Sequence, residues 1–191
     1  RDQLLPALVQ GLGDIAAGNL TITPERRKTI DFTAPFVTDV RELLVTGPDS
    51  PPVASIADLA GKEVFLRPSS SYREHVEAAN LRLRAEQRPA IAITGIDEHL
   101  EDEDLLKMVN AGLLPWAIVD EHKAGIWAKV LPNLTIRPEI AFSESGEIAW
   151  AIRKDSPQLK AELDAFIEKH RIGTTFGNVL RKRYYRDDKM L

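Results

Sequence analysis

The apolar residues of this chain occur in short blocks with two different spacings. Helical spacing is clearest in residues 2–12, whose apolar positions are Leu4, Leu5, Leu8, Val9 and Leu12. Glycines close this block, and residues 14–17 then read as a short buried strand, as residues 42–46 do later in the chain. The N-terminal part therefore predicts a helix followed by a strand.

The same alternation continues to the C-terminus. Further strands are predicted at 63–67, 90–94, 114–120 and 145–152, and further helices at 72–86, 103–111, 121–130, 157–170 and 176–185. Thr23 is placed to cap a short helical turn that starts with Pro24 and ends by Lys28, and Ser55 with Asp58 forms a capping-box pattern. Alternating helices and strands are typical of an α/β fold with a parallel sheet.

The densest turn signal lies in residues 47–52, and it suggests a division of the chain into two lobes. We predict that residues 1–46 form the first part of lobe 1 and residues 47–148 form lobe 2. Residues 149–191 are predicted to return to lobe 1 and to add the C-terminal helices. A hinge is expected near 46–48 and 149–151, where the chain crosses between lobes.

Composition narrows the partners of this fold. The chain has 191 residues, 43% of them apolar, and a formal net charge of -4, which argues against nucleic acid as the main partner. It contains no cysteine, so disulfides and thiolate metal sites are excluded. No apolar run reaches the roughly 20 residues that a membrane helix needs. A small-molecule ligand is the expected partner.

Enzyme signatures give a negative result. The chain has no nucleophile elbow, phosphate loop, dinucleotide fingerprint or zinc-binding histidine pair, so we expect neither a metal nor another cofactor, and no catalytic residue. The four histidines, at positions 75, 99, 122 and 170, are scattered, and solvated helix faces are their simplest interpretation. The acidic run at 101–104 is most simply a solvated helix start.

Arg26 stands apart because it follows a capped turn that begins with proline. A guanidinium pairs with both oxygens of a carboxylate, and the start of the turn adds amide donors, so the position suits a carboxylate ligand. The competing interpretation is an ordinary surface arginine, which is the more frequent case for a residue in the first turn of a short helix.

The segment ending at Phe36, GDIAAGNLTITPERRKTIDFTAPF, resembles the signature of the periplasmic solute-binding proteins of family 3, the polar amino-acid receptors of ABC importers. This resemblance implies an α/β, two-lobed periplasmic-binding-protein fold of type 2. The first strand, first helix and second strand of that family have no counterpart after Arg1, so the first lobe is expected to be N-terminally incomplete. The implied chemistry is non-catalytic ligand binding in the periplasm.

The resemblance also implies site residues. In lobe 1, Thr21 and Arg26 would hold the α-carboxylate of the ligand, and Asn19 occupies a loop position that is usually glycine in the family. In lobe 2, the serine run, defined as Ser69, Ser70 and Ser71, replaces the frequent Gly-Thr-Gly loop. Asp120 ends a later strand and would take the amino group.

A narrower resemblance concerns three stretches, 105–120, 148–156 and 170–185. They look like the solute-binding module of lytic murein transglycosylases of the F type, in which such a module precedes a catalytic domain. This resemblance implies a regulatory sensor for amino acids or cell-wall peptide fragments, with a catalytic domain after Leu191. It also implies association with the outer membrane in the full-length protein.

Three alternatives stay open at this point. The first is a free amino-acid receptor of an ABC importer. The second is an enzyme on the same fold, such as a periplasmic dehydratase of the prephenate or arogenate type, because a fold does not determine a function. The third is a degenerate module that only mediates protein contacts.

Overall fold

The computed structural model describes residues 2–186 of the chain. Its helices are α1 (Leu4–Val9), α2 (Ser71–Ala85), α3 (Asp102–Asn110), α4 (Glu121–Trp127), α5 (Pro157–His170) and α6 (Thr175–Arg181). Its strands are β1 (Ile15–Thr21), β2 (Ile30–Phe32), β3 (Val37–Thr46), β4 (Glu63–Leu66), β5 (Ala92–Gly95), β6 (Trp116–Asp120) and β7 (Thr135–Arg153). Short 3₁₀ turns at Arg26–Lys28 and Ile56–Leu59 and a π-helical turn at Lys182–Arg186 complete the chain.

The chain packs into two compact units. Unit 1 combines residues 1–40 with 145–191, and unit 2 consists of residues 41–144. The predicted lobe limits at 46/47 and 148/149 stay a prediction. Residues 187–191, which belong to the last predicted segment, lie outside the part of the chain that the structure describes. Both β3 and β7 contain a point where the chain passes from one unit to the other.

Unit 2 contains a strand pair that is buried on both faces. In β3, Leu44 joins one apolar cluster and Val45 another, because successive side chains of a strand point to opposite faces. In β6, Trp116 and Ile118 join the first cluster, in which β4 and α2 also take part. The second cluster includes residues of α3 and α4. Burial on both faces explains why β6 is apolar up to Asp120.

Unit 1 has a smaller core. It is formed by α1, β1, β2 and the C-terminal half of β7, and its buried members are Leu8, Ala16, Leu20, Ile30, Phe32, Ala149 and Ala151. Both β1 and β2 pair antiparallel with β7. The register between β1 and β7 shifts between Ala16 and Leu20, so the strand is irregular just before Thr21.

The expected parallel sheet is correct only in part. β4 and β5 are parallel, and α2 lies between them in the chain. The pairs of β3 with β6, β1 with β7 and β2 with β7 are antiparallel. The alternating pattern predicts which segments form strands. It does not predict whether two paired strands run parallel or antiparallel, because that depends on which strands become neighbours in the folded unit.

Most predicted elements are confirmed, with different limits. The first helix ends at Val9 instead of residue 12, and Gly11 follows with a φ of 80°. The capping box of Ser55 and Asp58 is present. Sequence patterns missed β2 and the first ten residues of β7, because these segments are short or only intermittently buried. Within residues 2–186, none of the helices is long and apolar enough to span a membrane.

Gly47 offers a test of the packing at the end of β3. A Cβ atom placed on Gly47 would lie 2.4 Å from the carbonyl oxygen of Val109, at the end of α3. We expect Gly47→Ala to lower the free energy of unfolding by about 1–3 kcal/mol, the usual cost of overpacking. Chemical denaturation measures this change.

Gly125→Ala is the matched control in the same unit. Apart from its chain neighbours and the backbone of α4, none of the described residues has an atom within 4 Å of the added Cβ, and alanine is the better helix former at this position. This control should leave the protein as stable or slightly more stable. Equal stability of the two variants would contradict the packing described here.

Candidate functional site

In unit 1 the predicted carboxylate-binding residues lie together. The hydroxyl oxygen of Thr23 accepts a hydrogen bond from the backbone N–H of Arg26 at 3.2 Å, which is the capping contact that the sequence predicted. The Arg26 Nη1 atom donates to the carbonyl oxygen of Thr21 at 2.7 Å. Thr21 is buried, and Arg26 is half-buried. The turn therefore fixes the guanidinium beside the end of β1.

Asn19 lies just before this group, and its backbone explains the residue type. Its φ is 49°, in the left-handed region that glycine and asparagine adopt at the lowest cost. Asparagine can therefore occupy the position at which the family resemblance implied a glycine. The side chain of Asn19 is exposed.

In unit 2 the serine run has its hydroxyl groups committed to acceptors inside the unit. The Ser69 hydroxyl donates to Glu98 at 2.6 Å, and the Ser70 hydroxyl donates to the carbonyl oxygen of Arg67 at 2.9 Å. The Ser71 hydroxyl donates to Glu42 Oε1 at 2.9 Å. A hydroxyl has one proton to donate, so these groups offer a ligand mainly their acceptor lone pairs.

Glu42 is a buried residue that the sequence did not indicate as a site residue. Its side chain is only 1% exposed. Besides Ser71, it contacts His75, whose Nδ1 lies 2.5 Å from Glu42 Oε2. In the register of β3 with β6, Glu42 lies directly opposite Asp120. Two carboxylates in this relation destabilise a sheet unless other groups compensate them, and α2 supplies compensating groups to Glu42.

Asp120 ends β6 and is also buried. Its Oδ2 lies 2.9 Å from the Lys123 ammonium nitrogen, and its backbone N–H donates to the Tyr72 hydroxyl oxygen at 3.2 Å. Its other carboxylate oxygen, Oδ1, is buried and has no hydrogen-bond partner among the described residues. Buried carboxylate oxygens are nearly always paired, so Oδ1 stands out as a position for a donor.

Behind Asp120 lies a buried charge network centred on Asp102. Arg67 donates to Asp102 Oδ1 at 2.7 Å, and Tyr72 donates to Oδ2 at 2.9 Å. Lys123 lies 2.5 Å from Oδ2, so its ammonium bridges Asp102 and Asp120. The prediction that the acidic run is a solvated helix start is therefore wrong for Asp102. Its carboxylate is needed to compensate two cations that β4 and α4 bring into the interior.

The network shifts the pKa values of its members. Burial raises the pKa of Asp102, but the charges of Lys123 and Arg67 outweigh burial and leave this pKa below its ordinary value. Burial lowers the pKa of Lys123, and Asp102 and Asp120 outweigh it, so this pKa is raised. Burial and then the nearby carboxylates raise the pKa of Tyr72 well above its usual range. Asp102 and Lys123 are thus charged and Tyr72 is neutral at neutral pH.

The histidines differ in environment. His99 is almost fully exposed, as predicted, whereas His75 is largely shielded beside Glu42. Burial lowers the pKa of His122, which follows Asp120 in the chain. His170 stacks on Phe166 with the ring centroids 4.1 Å apart. The prediction of solvated helix faces is wrong for His75 and His122, because both side chains are partly buried within unit 2.

Sequence patterns did not indicate a site role for four charged residues, Glu42, Arg67, Glu98 and Lys123. Each is a common surface residue type, and each acquires its role through a partner far away in the chain. One signal was available: Glu42 and Arg67 lie at the ends of apolar strand blocks, where a charged side chain is often carried into the interior. No signal in the chain pairs either of them with its partner.

Comparison with known proteins identifies the family to which the whole chain is similar. The family model of bacterial extracellular solute-binding proteins, family 3, matches residues 1–185. The membrane-bound lytic murein transglycosylase F of Ectopseudomonas mendocina is 27% identical over 187 residues, which are 95% of this chain and 36% of that protein. The protein of the same name from Saccharophagus degradans is 33% identical over 140 residues, 73% of this chain and 26% of its own length. The matched region thus spans about a third of the first relative and about a quarter of the second.

Solved structures show the same fold. One similar structure is an amino acid ABC transporter substrate-binding protein from Streptococcus pneumoniae bound to L-arginine. It superposes with a TM-score of 0.77 at 24% identity, and the matched region covers 97% of this chain and 73% of that protein chain. A putative L-cystine ABC transporter protein from Listeria monocytogenes reaches a TM-score of 0.80 at 18% identity, covering 97% and 75%. The fold is that of the type 2 periplasmic binding proteins.

Asp102→Asn tests the network. Removal of one partner from a buried ion pair leaves uncompensated charge, so we expect this variant to lose about 3–5 kcal/mol of unfolding free energy at pH 7. Glu103→Gln removes a negative charge from the next residue and should change stability by less than about 0.5 kcal/mol. Urea denaturation of the three proteins measures both values.

The acid dependence gives a second readout of the same variant. The pKa of folded Asp102 is below the ordinary 3.8, so its stabilising contribution is present above pH 3.8 and is lost as the pH falls through the folded value. The stability of the wild-type chain should therefore decrease more steeply in this acidic window than that of Asp102→Asn. Parallel curves would contradict the ion-pair description.

Proposed function

Because the chain belongs to the bacterial extracellular solute-binding proteins of family 3, we propose that it is a non-catalytic periplasmic binding domain for an amino acid or a cell-wall peptide fragment. The ligand on this proposal carries a free carboxylate and a free amine. The single observation that carries the proposal is the buried, unpartnered Oδ1 of Asp120, which requires a hydrogen-bond donor.

The amine end of the ligand is assigned to Asp120. An ammonium group has three donors and a positive charge, so it satisfies a carboxylate oxygen better than a neutral donor can. Lys123 and Arg67 contribute two positive charges to the network, against the three buried carboxylates of Glu42, Asp102 and Asp120. These five groups therefore include one more carboxylate than cations, a difference that an incoming ammonium would offset.

The carboxylate end is assigned to Arg26, with Thr21 beside it. One guanidinium nitrogen is held by the Thr21 carbonyl oxygen at 2.7 Å, so the planar group has a defined orientation before any ligand arrives. Such preorganisation reduces the entropy that is lost on binding. Arginine in this arrangement also selects planar, two-oxygen ligands such as carboxylates.

A regulatory role is favoured by the relatives. Those described above carry the name lytic murein transglycosylase F, and the matched regions are 36% and 26% of their length. We therefore propose that this domain senses ligand for a transglycosylase domain elsewhere in the same protein. Murein digestion by the full-length protein, with and without the ligand, tests this role. Activity independent of ligand would instead favour an importer receptor.

The dehydratase alternative requires turnover. In the network around Asp102 the charged groups are held by ion pairs and hydrogen bonds, an arrangement that suits a rigid binding surface more than proton transfer. Prephenate or arogenate incubated with the chain should be recovered unchanged. Product formation above the uncatalysed rate would replace the binding proposal with an enzymatic one.

Arg26→Ala tests the carboxylate assignment. Loss of one partner of a desolvated charge pair costs about 2–5 kcal/mol, so calorimetry with L-arginine, L-glutamine and L-cystine should show affinity reduced by that amount. Lys28→Ala is the matched control, because it removes a positive charge from the same turn but is 67% exposed and pairs with Glu25. Equal affinities of the two variants would remove Arg26 from the site.

Asp120→Asn tests the amine assignment. The amide is nearly isosteric but uncharged, so affinity for an amino acid should fall by at least about tenfold, the loss of a charge-assisted hydrogen bond. For the deaminated analogue of each ligand, which has no amine, Asp120→Asn should reduce the affinity by a smaller factor. A similar loss for both ligand types would indicate a structural effect of Asp120 instead of amine recognition.

A further inference from the structure

Glu98 makes a two-point contact with the first residue of the serine run. It lies in the loop between β5 and α3, and its Oε1 accepts from the backbone N–H of Ser69 at 2.8 Å. Its Oε2 accepts from the Ser69 hydroxyl at 2.6 Å. Both distances are typical of strong hydrogen bonds to a carboxylate. One carboxylate thus uses both donors that Ser69 has.

These two donors are the kind that would hold a ligand carboxylate. A backbone amide and a hydroxyl from one residue present two N–H or O–H groups to the two oxygens of a planar anion. The other hydroxyls of the run are committed to Arg67 and Glu42, as described above. Ser69 therefore presents an amide and a hydroxyl donor side by side, and a carboxylate of the chain itself already accepts from both.

The contact is not needed to hold the run in place. The run is anchored on either side of Ser69, because Arg67 is 5% exposed with hydrogen bonds to Leu100, Glu101 and Asp102. Ser71 is fastened to Glu42, and the backbone N–H of Ser70 donates to the Arg67 carbonyl oxygen at 3.1 Å. Removal of Glu98 would leave these anchors intact.

The charge of Glu98 is also weakly compensated. No cationic side chain forms an ion pair with it in the region that the structure describes, so the dipoles of Ser69 hold it. The net contribution of such hydrogen bonds is modest, because water competes for the same donors and acceptors. The Glu98 side chain can therefore rotate into solvent, and another carboxylate or water can then accept from Ser69 in its place.

We propose that Glu98 is an internal competitor that occupies the donor pair of Ser69 and excludes the ligand carboxylate from the serine run. This inference rests on the proposed function, because it assumes that the ligand has a carboxylate. It assigns Glu98 the role of a specificity-determining residue. Carboxylate recognition is left to Arg26, and the serine run offers acceptors for the donor groups of the ligand.

The closing experiment compares ligand affinities of the 191-residue chain with those of Glu98→Ala, Glu98→Gln and Arg26→Ala. L-glutamine and L-arginine serve as probes in calorimetry, and the ¹⁵N-resolved amide signal of Ser69 reports the contact itself. Release of the donor pair in Glu98→Ala should tighten binding by about tenfold, which is the contribution of one hydrogen bond to a charged group. Glu98→Gln retains one acceptor and should give a smaller gain.

Asp97→Asn is the control. It removes a negative charge from the neighbouring residue, whose carboxylate contacts His99 and not Ser69, and it retains an oxygen acceptor for the backbone N–H of His99. This variant should bind as the wild type does, and its Ser69 amide signal should not move. In Glu98→Ala the signal should shift upfield, because a charged acceptor is lost.

The outcomes separate this inference from the proposed function. Tighter binding by Glu98→Ala supports competition, including the case in which the wild-type chain binds neither probe. Unchanged or weaker binding by Glu98→Ala, with Arg26→Ala still defective, would overturn the role of Glu98 and leave the proposed function intact. If neither the wild type nor Glu98→Ala binds a probe, both proposals fail.

Discussion

The buried carboxylate of Asp102 is the interaction on which the rest of unit 2 depends. It joins the end of β4 through Arg67, the start of α2 through Tyr72 and the first turn of α4 through Lys123. Cations buried without such a partner would cost several kcal/mol each. The serine run lies between Arg67 and Tyr72 in the chain, so the same carboxylate that stabilises the unit also holds both ends of this loop.

This arrangement determines what the loop can offer to a ligand. Hydroxyl protons that would otherwise be free to bind an anion are donated to Glu98, Glu42 and a backbone carbonyl oxygen. The strand register adds a second acidic group opposite Asp120. Unit 2 therefore presents mainly acceptors and negative charge, which suits the amine end of a ligand. On the proposed function, Arg26 of unit 1 would take the carboxylate end.

The strands that carry these groups illustrate how far sequence patterns reach. Apolar blocks located β3, β4 and β6, and the capping pattern at Thr23 predicted the turn that carries Arg26. The second strand of unit 1 and the first half of β7 escaped detection, because edge segments with mixed burial have no clear period. Parallel pairing was expected throughout, whereas the pairs other than β4 with β5 described above are antiparallel.

The sequence by itself determined the α/β class, the family, the capped arginine turn and the run of serines, because these depend on local spacing and on residues that are neighbours in the chain. Only the tertiary structure decided which partners the charged side chains have. Glu98 lies 29 residues from Ser69 in the chain, and Arg67 lies 35 residues from Asp102. Glu42 and Ser71 are 29 residues apart. Such contacts arise from strand register and helix packing, which bring distant charges into one buried volume where each must be compensated.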